Sequence, residues 1–249
     1  LVSKYDKLMA ETVYFAGANG DMVEGYFARP LGEGPYGSVV VIHHMPGYDA
    51  ATKEITRKFA ANGYLALMPN LYYREAPDAE PDDAAAAARA QGGVPDERLV
   101  GDVDGATKFL RSQANSNHKV GIIGYCSGGR QAFLAACSLQ LDAAVDCYGA
   151  FVVSDPPEGA PLKVKALMGI ARNLSAPLLG LFGREDSYPS PDEVKVLDDE
   201  LTKLGKEHEF HIYEGAGHAF FAPNRPSYRV EAANDGWEKI WAFYGKHLG

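Results

Sequence analysis

Residues 119–132 read Lys-Val-Gly-Ile-Ile-Gly-Tyr-Cys-Ser-Gly-Gly-Arg-Gln-Ala, and this stretch restricts the fold more tightly than any other. Val120, Ile122 and Ile123 form a short apolar run of the kind a buried parallel strand carries. Residues 130–139 read as a helix. Between the two, Gly124-Tyr125-Cys126-Ser127-Gly128 has the G-x-nucleophile-x-G spacing of a nucleophile elbow, with cysteine where serine is more usual. The reacting residue of an elbow sits on a strained turn. Its neighbours two before and two after are crowded between strand and helix, so glycine is needed at both. That frame selects Cys126 over Ser127, because a frame on Ser127 puts Tyr125 in a glycine position. The competing reading is a buried, inert cysteine on a glycine-rich turn, since cysteine is often unreactive.

The rest of the chain supplies the frame for that turn. Residues 11–16 and 22–29 alternate polar and apolar around Gly17-Ala18-Asn19-Gly20, which predicts an antiparallel hairpin. A Val/Ile strand over 38–42 ends at His43-His44, and a helix over 52–62 leads to a second buried strand over 64–68. Residues 74–96 hold Pro77, Pro81, Pro95, Gly92-Gly93 and a run of acids, with a short alanine-rich helix at 84–90. They read as a solvated excursion or, more sharply, as a flap beside a pocket. A helix follows over 99–113. Beyond the elbow, strands are expected at 141–148, 177–182 and 207–213, and helices at 192–204 and 230–247. A short helix near 164–170 is expected inside the irregular stretch 151–175.

Strands alternating with helices predict a mostly parallel sheet with helices on both faces and an N-terminal antiparallel hairpin, as a single domain over 1–249. Ligands of such sheets sit beyond the carboxyl ends of the strands. Cys126, Asp186 and His218 each fall just past a strand, in the order nucleophile, acid, histidine, which is the α/β-hydrolase order. The chemistry then assigns roles. A helix N-terminus favours the Cys126 thiolate. His218 shares its proton and later protonates the leaving group, while Asp186 orients the imidazole. Backbone N–H groups of Ser127 and Met45 are the candidates for the oxyanion hole. Glu185 and Asp192 compete weakly with Asp186 for the acid position. His43 and His44 are neighbours and point to opposite faces of a strand, which weakens a joint metal-ligand reading. A metal site from Cys126, His44 and His218 is a remote alternative, so no metal is expected. His208, His211, His118 and His247 carry no signal.

Composition narrows the partners. The net charge of −9 and the lack of any Lys/Arg-rich run argue against nucleic acid and against an anionic membrane surface. Three cysteines without C-x-x-C spacing argue against a disulfide framework or zinc ribbon and suit a reducing, cytoplasmic compartment. Residues 1–7 lack the basic-then-apolar pattern of a secretory signal. The chain opens on Leu1 rather than methionine, so that reading concerns the given residues alone.

Gly-Tyr-Cys-Ser-Gly-Gly at 124–129, Gly-Arg-Glu-Asp at 183–186 and Gly-Ala-Gly-His-Ala-Phe at 215–220 resemble the dienelactone hydrolase family. So does Pro69-Asn70-Leu71-Tyr72 with Arg74 and Pro77. The resemblance runs from about Glu11 to Leu248. It implies an α/β-hydrolase, a monomer or at most a weak homodimer, that uses Cys126, Asp186 and His218, needs no cofactor, and opens enol-lactones such as dienelactone to maleylacetate. Two departures qualify this. Members carry a glutamate that gates the resting thiol, and His44 takes its place here; His44 is therefore expected beside the oxyanion hole, contacting thiolate or substrate. Members also bind the substrate carboxylate with two arginines. Arg89 is the candidate for one; the place of the other is Ala222, with Arg225 the nearest arginine. Losing one of a charge-assisted pair favours a broader ester hydrolase. Tyr125, Tyr148, Phe220 and Phe221 are expected to line an aromatic pocket. A non-catalytic binding module and a thiol redox sensor using Cys137 are the rivals from other classes, with Cys137 and Cys147 otherwise read as small core residues.

Overall fold

The computed structural model describes residues 7–249, so the reading of residues 1–6 lies outside it. Eight strands form one sheet: β1 (Leu8–Ala16), β2 (Met22–Pro30), β3 (Tyr36–Ile42), β4 (Leu65–Pro69), β5 (Ser116–Tyr125), β6 (Ala143–Cys147), β7 (Leu178–Gly183) and β8 (His208–Tyr213). Their order across the sheet is β1-β2-β4-β3-β5-β6-β7-β8. β2 pairs antiparallel with both β1 and β4, and every other pairing is parallel. This is the α/β-hydrolase fold. The chain runs outward from β3 to β4 on one side and to β5 on the other, so the order reverses at β3, and the crevice beyond its carboxyl end is where such sheets bind ligands.

The helices are α1 (Ala50–Ala61), α2 (Pro81–Ala90), α3 (Asp96–Arg111), α4 (Ser127–Ser138), α5 (Pro191–Lys203) and α6 (Val230–His247). Successive strand residues face opposite ways, and each strand is apolar on both sides because helices cover both. Val40, Ile42, Leu67 and Ile122 pack with Leu99 and Val103 of α3 and Phe133 of α4. Val39, Val41, Met68 and Ile123 pack with Phe59 of α1 and Trp237, Ile240 and Tyr244 of α6. Among the described residues no helix is long and apolar enough to cross a membrane.

Local chemistry sets the boundaries. The Asp49 side chain caps α1 by accepting from the Thr52 N–H. Ser190 and Glu193 form a capping box at α5, with Pro191 in its first turn. α4 begins at Ser127, three residues before the expected start at Arg130. Gly128 and Gly129 read as loop by propensity, but they let the helix press close: a Cβ on Gly128 would stand 2.7 Å from the carbonyl oxygens of Ile42 and His43. The expected helix near 164–170 is instead a 3₁₀ turn over Met168–Asn173.

The excursion 74–96 is pinned at its foot. Arg74 reaches fully buried Asp102 of α3 with two hydrogen bonds of 2.8 and 2.9 Å. Its far end, Gly92-Gly93, folds onto the segment after β6. There Lys163 N–H donates to Gly92 O at 2.8 Å, and Leu162 packs so close to Gly93 that a Cβ would sit 2.9 Å away. Both glycines have φ near +90°, a conformation that side chains resist.

Candidate active site

Cys126 ends β5 with φ 57° and ψ −122°, outside the regions favoured for a residue with a Cβ. The turn is over-determined by its neighbours. A Cβ on Gly124 would overlap the Gly128 carbonyl, and Cys126 N–H donates to Cys147 O of the adjoining strand at 3.1 Å. The side chain is therefore held at the carboxyl edge of the sheet, directly ahead of α4. Ser127 N–H, at the first turn of α4, and Met45 N–H, in the loop after β3, have no intramolecular acceptor among the described residues. Both residues line the same cavity as Cys126.

Two further strands deliver the acid and the histidine. Asp186 follows β7 in a turn where Gly183 packs against the backbone at Ala216, so tightly that a Cβ would collide with the Ala216 carbonyl. Its side chain is only 3% exposed. Oδ1 accepts from Tyr188 N–H at 2.9 Å, and Oδ2 accepts from His218 Nδ1 at 2.8 Å. This bond fixes the tautomer, and the opposite face of the ring is left for the thiol. Burial alone would push the imidazole down. Its hydrogen bonds to Asp186 and to Cys126, together with their charges, outweigh burial and raise it to about 10. Glu185 is exposed at the cavity rim, and Asp192 is exposed in the first turn of α5. Of the three acids weighed from sequence, Asp186 is the one hydrogen-bonded to His218.

The loops after β3 and β4 are stitched together behind the cavity. His43 is buried; its Nδ1–H donates to His44 O at 2.8 Å and its Nε2 accepts from Leu71 N–H at 3.3 Å. Burial pushes this ring down to about 4, so it stays neutral. Tyr72 OH donates to Met45 O at 2.8 Å. Nothing in the pattern of the sequence singles out His43 or Tyr72 as ties. Only the Pro-Asn-Leu-Tyr segment at 69–72 marks the place.

Several expected contacts differ. His44 turns to Asp49, with Nε2 2.7 Å from Oδ2, and lines a small separate recess with Thr52, Phe221 and Pro223. The Asp49 carboxylate already caps α1, so it is a fixed acceptor within reach, and it draws the ring away from the expected contact with the thiol. His44 thus does not converge with Cys126 and His218, and among the described residues no group of three His, Cys, Asp or Glu side chains gathers as a metal site. Phe220 is fully buried and Tyr148 nearly so; both lie in the core beneath the site rather than in the cavity wall. The Tyr148 ring packs edge-on against His218, with centroids 5.2 Å apart, and against Phe220 at 5.3 Å. These aromatics pack beneath the histidine, and Tyr148 also lines the recess with Tyr125, Phe221 and His44. Arg89 is half-buried on α2, near enough to Tyr72 to act on its hydroxyl, but it does not line the cavity. Burial pushes the Cys137 thiol up to about 12 and raises the Cys147 thiol well above its ordinary value, which makes neither a reactive partner for Cys126.

The cavity itself, of about 380 Å³, opens over Cys126. Residues 23–248 match the dienelactone hydrolase family. The chain belongs to the dienelactone hydrolase family. It is similar to the Escherichia coli (strain K12) protein named "Putative carboxymethylenebutenolidase", 34% identical over 238 residues that cover 93% of this chain and 85% of that one. The crystal structure of "Putative Dienelactone Hydrolase from Klebsiella pneumoniae subsp. pneumoniae MGH 78578" superposes with a TM-score of 0.85 at 30% identity, covering 96% of this chain and 99% of that one. The dienelactone hydrolase from Anabaena variabilis shares the fold, with a TM-score of 0.69 at 18% identity, covering 98% and 100%. The chain is accordingly a hydrolase of the dienelactone hydrolase type.

Proposed function

We propose that this dienelactone hydrolase family member cleaves a carboxylic ester or lactone through a Cys126–His218–Asp186 triad and an acyl-thioester intermediate. The observation that supports it best is His218, bonded through Nδ1 to a buried carboxylate and lining the same cavity as Cys126. A ring raised to about 10 carries its proton at neutral pH, and the N-terminus of α4 favours negative charge on the sulfur ahead of it. The thiolate sulfur attacks the carbonyl carbon. The oxygen takes up negative charge and is met by the N–H groups of Met45 and Ser127. Collapse of this adduct breaks the C–O bond, and His218 gives its proton to the departing alkoxide. The neutral ring then takes a proton from water as hydroxide attacks the thioester. Collapse of the second adduct releases the carboxylic acid and returns the thiolate–imidazolium pair. For a lactone the alcohol and acid leave as one opened molecule, as the name of the Escherichia coli relative suggests.

The reaction needs no cofactor or metal in this scheme. The chain is proposed to work as one α/β-hydrolase domain over 1–249, with 74–96 as a flap, as a cytoplasmic monomer or weak homodimer. Its partner is a small ester or lactone, not nucleic acid or a membrane. The test is a p-nitrophenyl acetate assay with mass spectrometry of the quenched enzyme. The expected result is turnover with an acyl adduct on Cys126, and loss of both in Cys126→Ala. A folded protein without Cys126-dependent turnover would instead fit a binding module.

A further inference from the structure

Arg130 stands on α4 one turn after Cys126, and its N–H bonds back to Cys126 O at 3.5 Å. Both residues line the same cavity, yet the Arg130 side chain is buried, with 3% of it exposed. The proposed reaction gives it no task. A buried ion pair adds little stability over apolar residues of similar volume, so an arginine here points to a role in arrangement.

Its guanidinium meets two segments at once. Nη1 donates to Asp96 Oδ1 at 2.7 Å and Nη2 to Asp96 Oδ2 at 2.9 Å, a two-pronged, charge-assisted contact. Nη2 also donates to Lys165 O at 2.6 Å. Asp96 opens α3 directly after the excursion, two residues beyond Val94 of the cavity wall. Lys165 follows Val164 of the wall, which also holds Leu162. Each acceptor is therefore one or two residues from a wall residue.

Other bonds in this region do not reach α4. Lys163 N–H and Gly92 O join the two segments to each other. Lys165 Nζ and Ala166 N–H reach Asp155, and Leu167 N–H reaches Val152 O, all within the stretch after β6. The fork of Arg130 links both segments to the helix that Cys126 precedes.

We infer that Arg130 is a positioning residue for substrate selection, holding the walls at Val94 and Leu162–Val164 at a set distance from Cys126 so that an extended acyl chain is gripped. The inference rests on the reading of Cys126 as the nucleophile and goes beyond it by naming what sets the fit of the acyl part.

Arg130→Met keeps the length of the side chain and removes its donors. It is compared with the unsubstituted enzyme on p-nitrophenyl acetate and p-nitrophenyl hexanoate. The two esters share a leaving group and differ in how far the chain extends into the cavity of about 380 Å³. The ratio of kcat/KM, hexanoate over acetate, is expected to fall about tenfold, through the KM of the hexanoate. A smaller folded fraction lowers both esters alike and leaves that ratio unmoved. Hydrogen exchange at the Lys163 amide, bonded to Gly92 O, is expected to speed up about tenfold or more, with the amides of β5 still protected. An unchanged ratio, or an equal fall for both esters, would overturn the inference and leave the triad standing. Acetate turnover that survives Cys126→Ala would remove the triad; the Lys163 exchange then judges the tie by itself, and an unchanged rate would overturn it. If Arg130→Met fails to fold, Asp96→Asn weakens the same tie from its more exposed end and is read by the same ratio, expected to fall about threefold.

Discussion

The hydroxyl of Tyr72 donates to the main-chain carbonyl of Met45 across 2.8 Å, tying the loop after β4 to the peptide that follows β3. The carbonyl lies in the Met45–Pro46 peptide plane, one Cα away from the plane that carries the Met45 N–H. Holding that carbonyl limits the rotation of Met45, so Tyr72 acts as a positioning residue for the Met45 N–H of the proposed oxyanion hole. Tyr72→Phe removes one hydrogen bond and keeps the ring. The expected result is a fall in kcat of about tenfold with KM little changed. The rate of Cys126 alkylation should be unaffected, since the thiol and His218 are untouched; an unchanged kcat would exclude the role.

Asp186 and His218 give a pH-dependent expectation. The ring is raised to about 10 in the native protein, against 6.5 for its ordinary value. Its charged form therefore contributes stability that is complete below pH 6.5 and is lost as pH rises towards 10. Asp186→Asn takes away the carboxylate, so the loss should end at a lower pH and be smaller. Turnover should drop on the order of 10³–10⁴-fold. NMR titration of the His218 ring, alongside kcat, measures both effects.

His43 works in the opposite sense. Burial holds it neutral down to about pH 4, whereas the unfolded chain takes up that proton near 6.5. Its contribution is intact above pH 6.5 and declines as the pH falls from 6.5 to 4, by about 3 kcal/mol at most. Urea midpoints measured across that range should fall more steeply for the unsubstituted protein than for His43→Asn. Parallel slopes would show that another group carries the acid sensitivity.

The pairing of His44 with Asp49 leads to a mild phenotype. His44→Ala should leave ester turnover within about twofold and lower thermal stability by about 1 kcal/mol, the worth of one partly buried hydrogen bond. A large loss of turnover with stability unchanged would return His44 to the reacting centre.

The run of strands and helices along the chain is legible in the sequence, and so is the place of Cys126, Asp186 and His218 just past strands; near the first two stand glycines that close packing demands. Gly124 and Gly128 flank the first, and Gly183 precedes the second. Steric need leaves a mark that can be read. The direction of His44 leaves no such mark, since it depends on Asp49, five residues on, already being held as a helix cap. Tyr148 and Phe220 mislead for a related reason: an aromatic residue beside a motif looks the same whether it faces a cavity or supports the floor beneath it. The contact between Gly92-Gly93 and Leu162-Lys163 is illegible because the two pairs stand some seventy residues apart in the chain.

The contact between those two segments has a consequence for how such a protein can change over time. In the proposed reaction the bond-breaking groups stand at the sheet edge, while the two segments clasped over it supply part of the cavity wall, Gly93 and Val94 from one and Leu162 and Val164 from the other. Substitutions in those segments can redirect the hydrolase towards new esters without disturbing a strand, provided that the glycine pair at 92–93 still lets the clasp close.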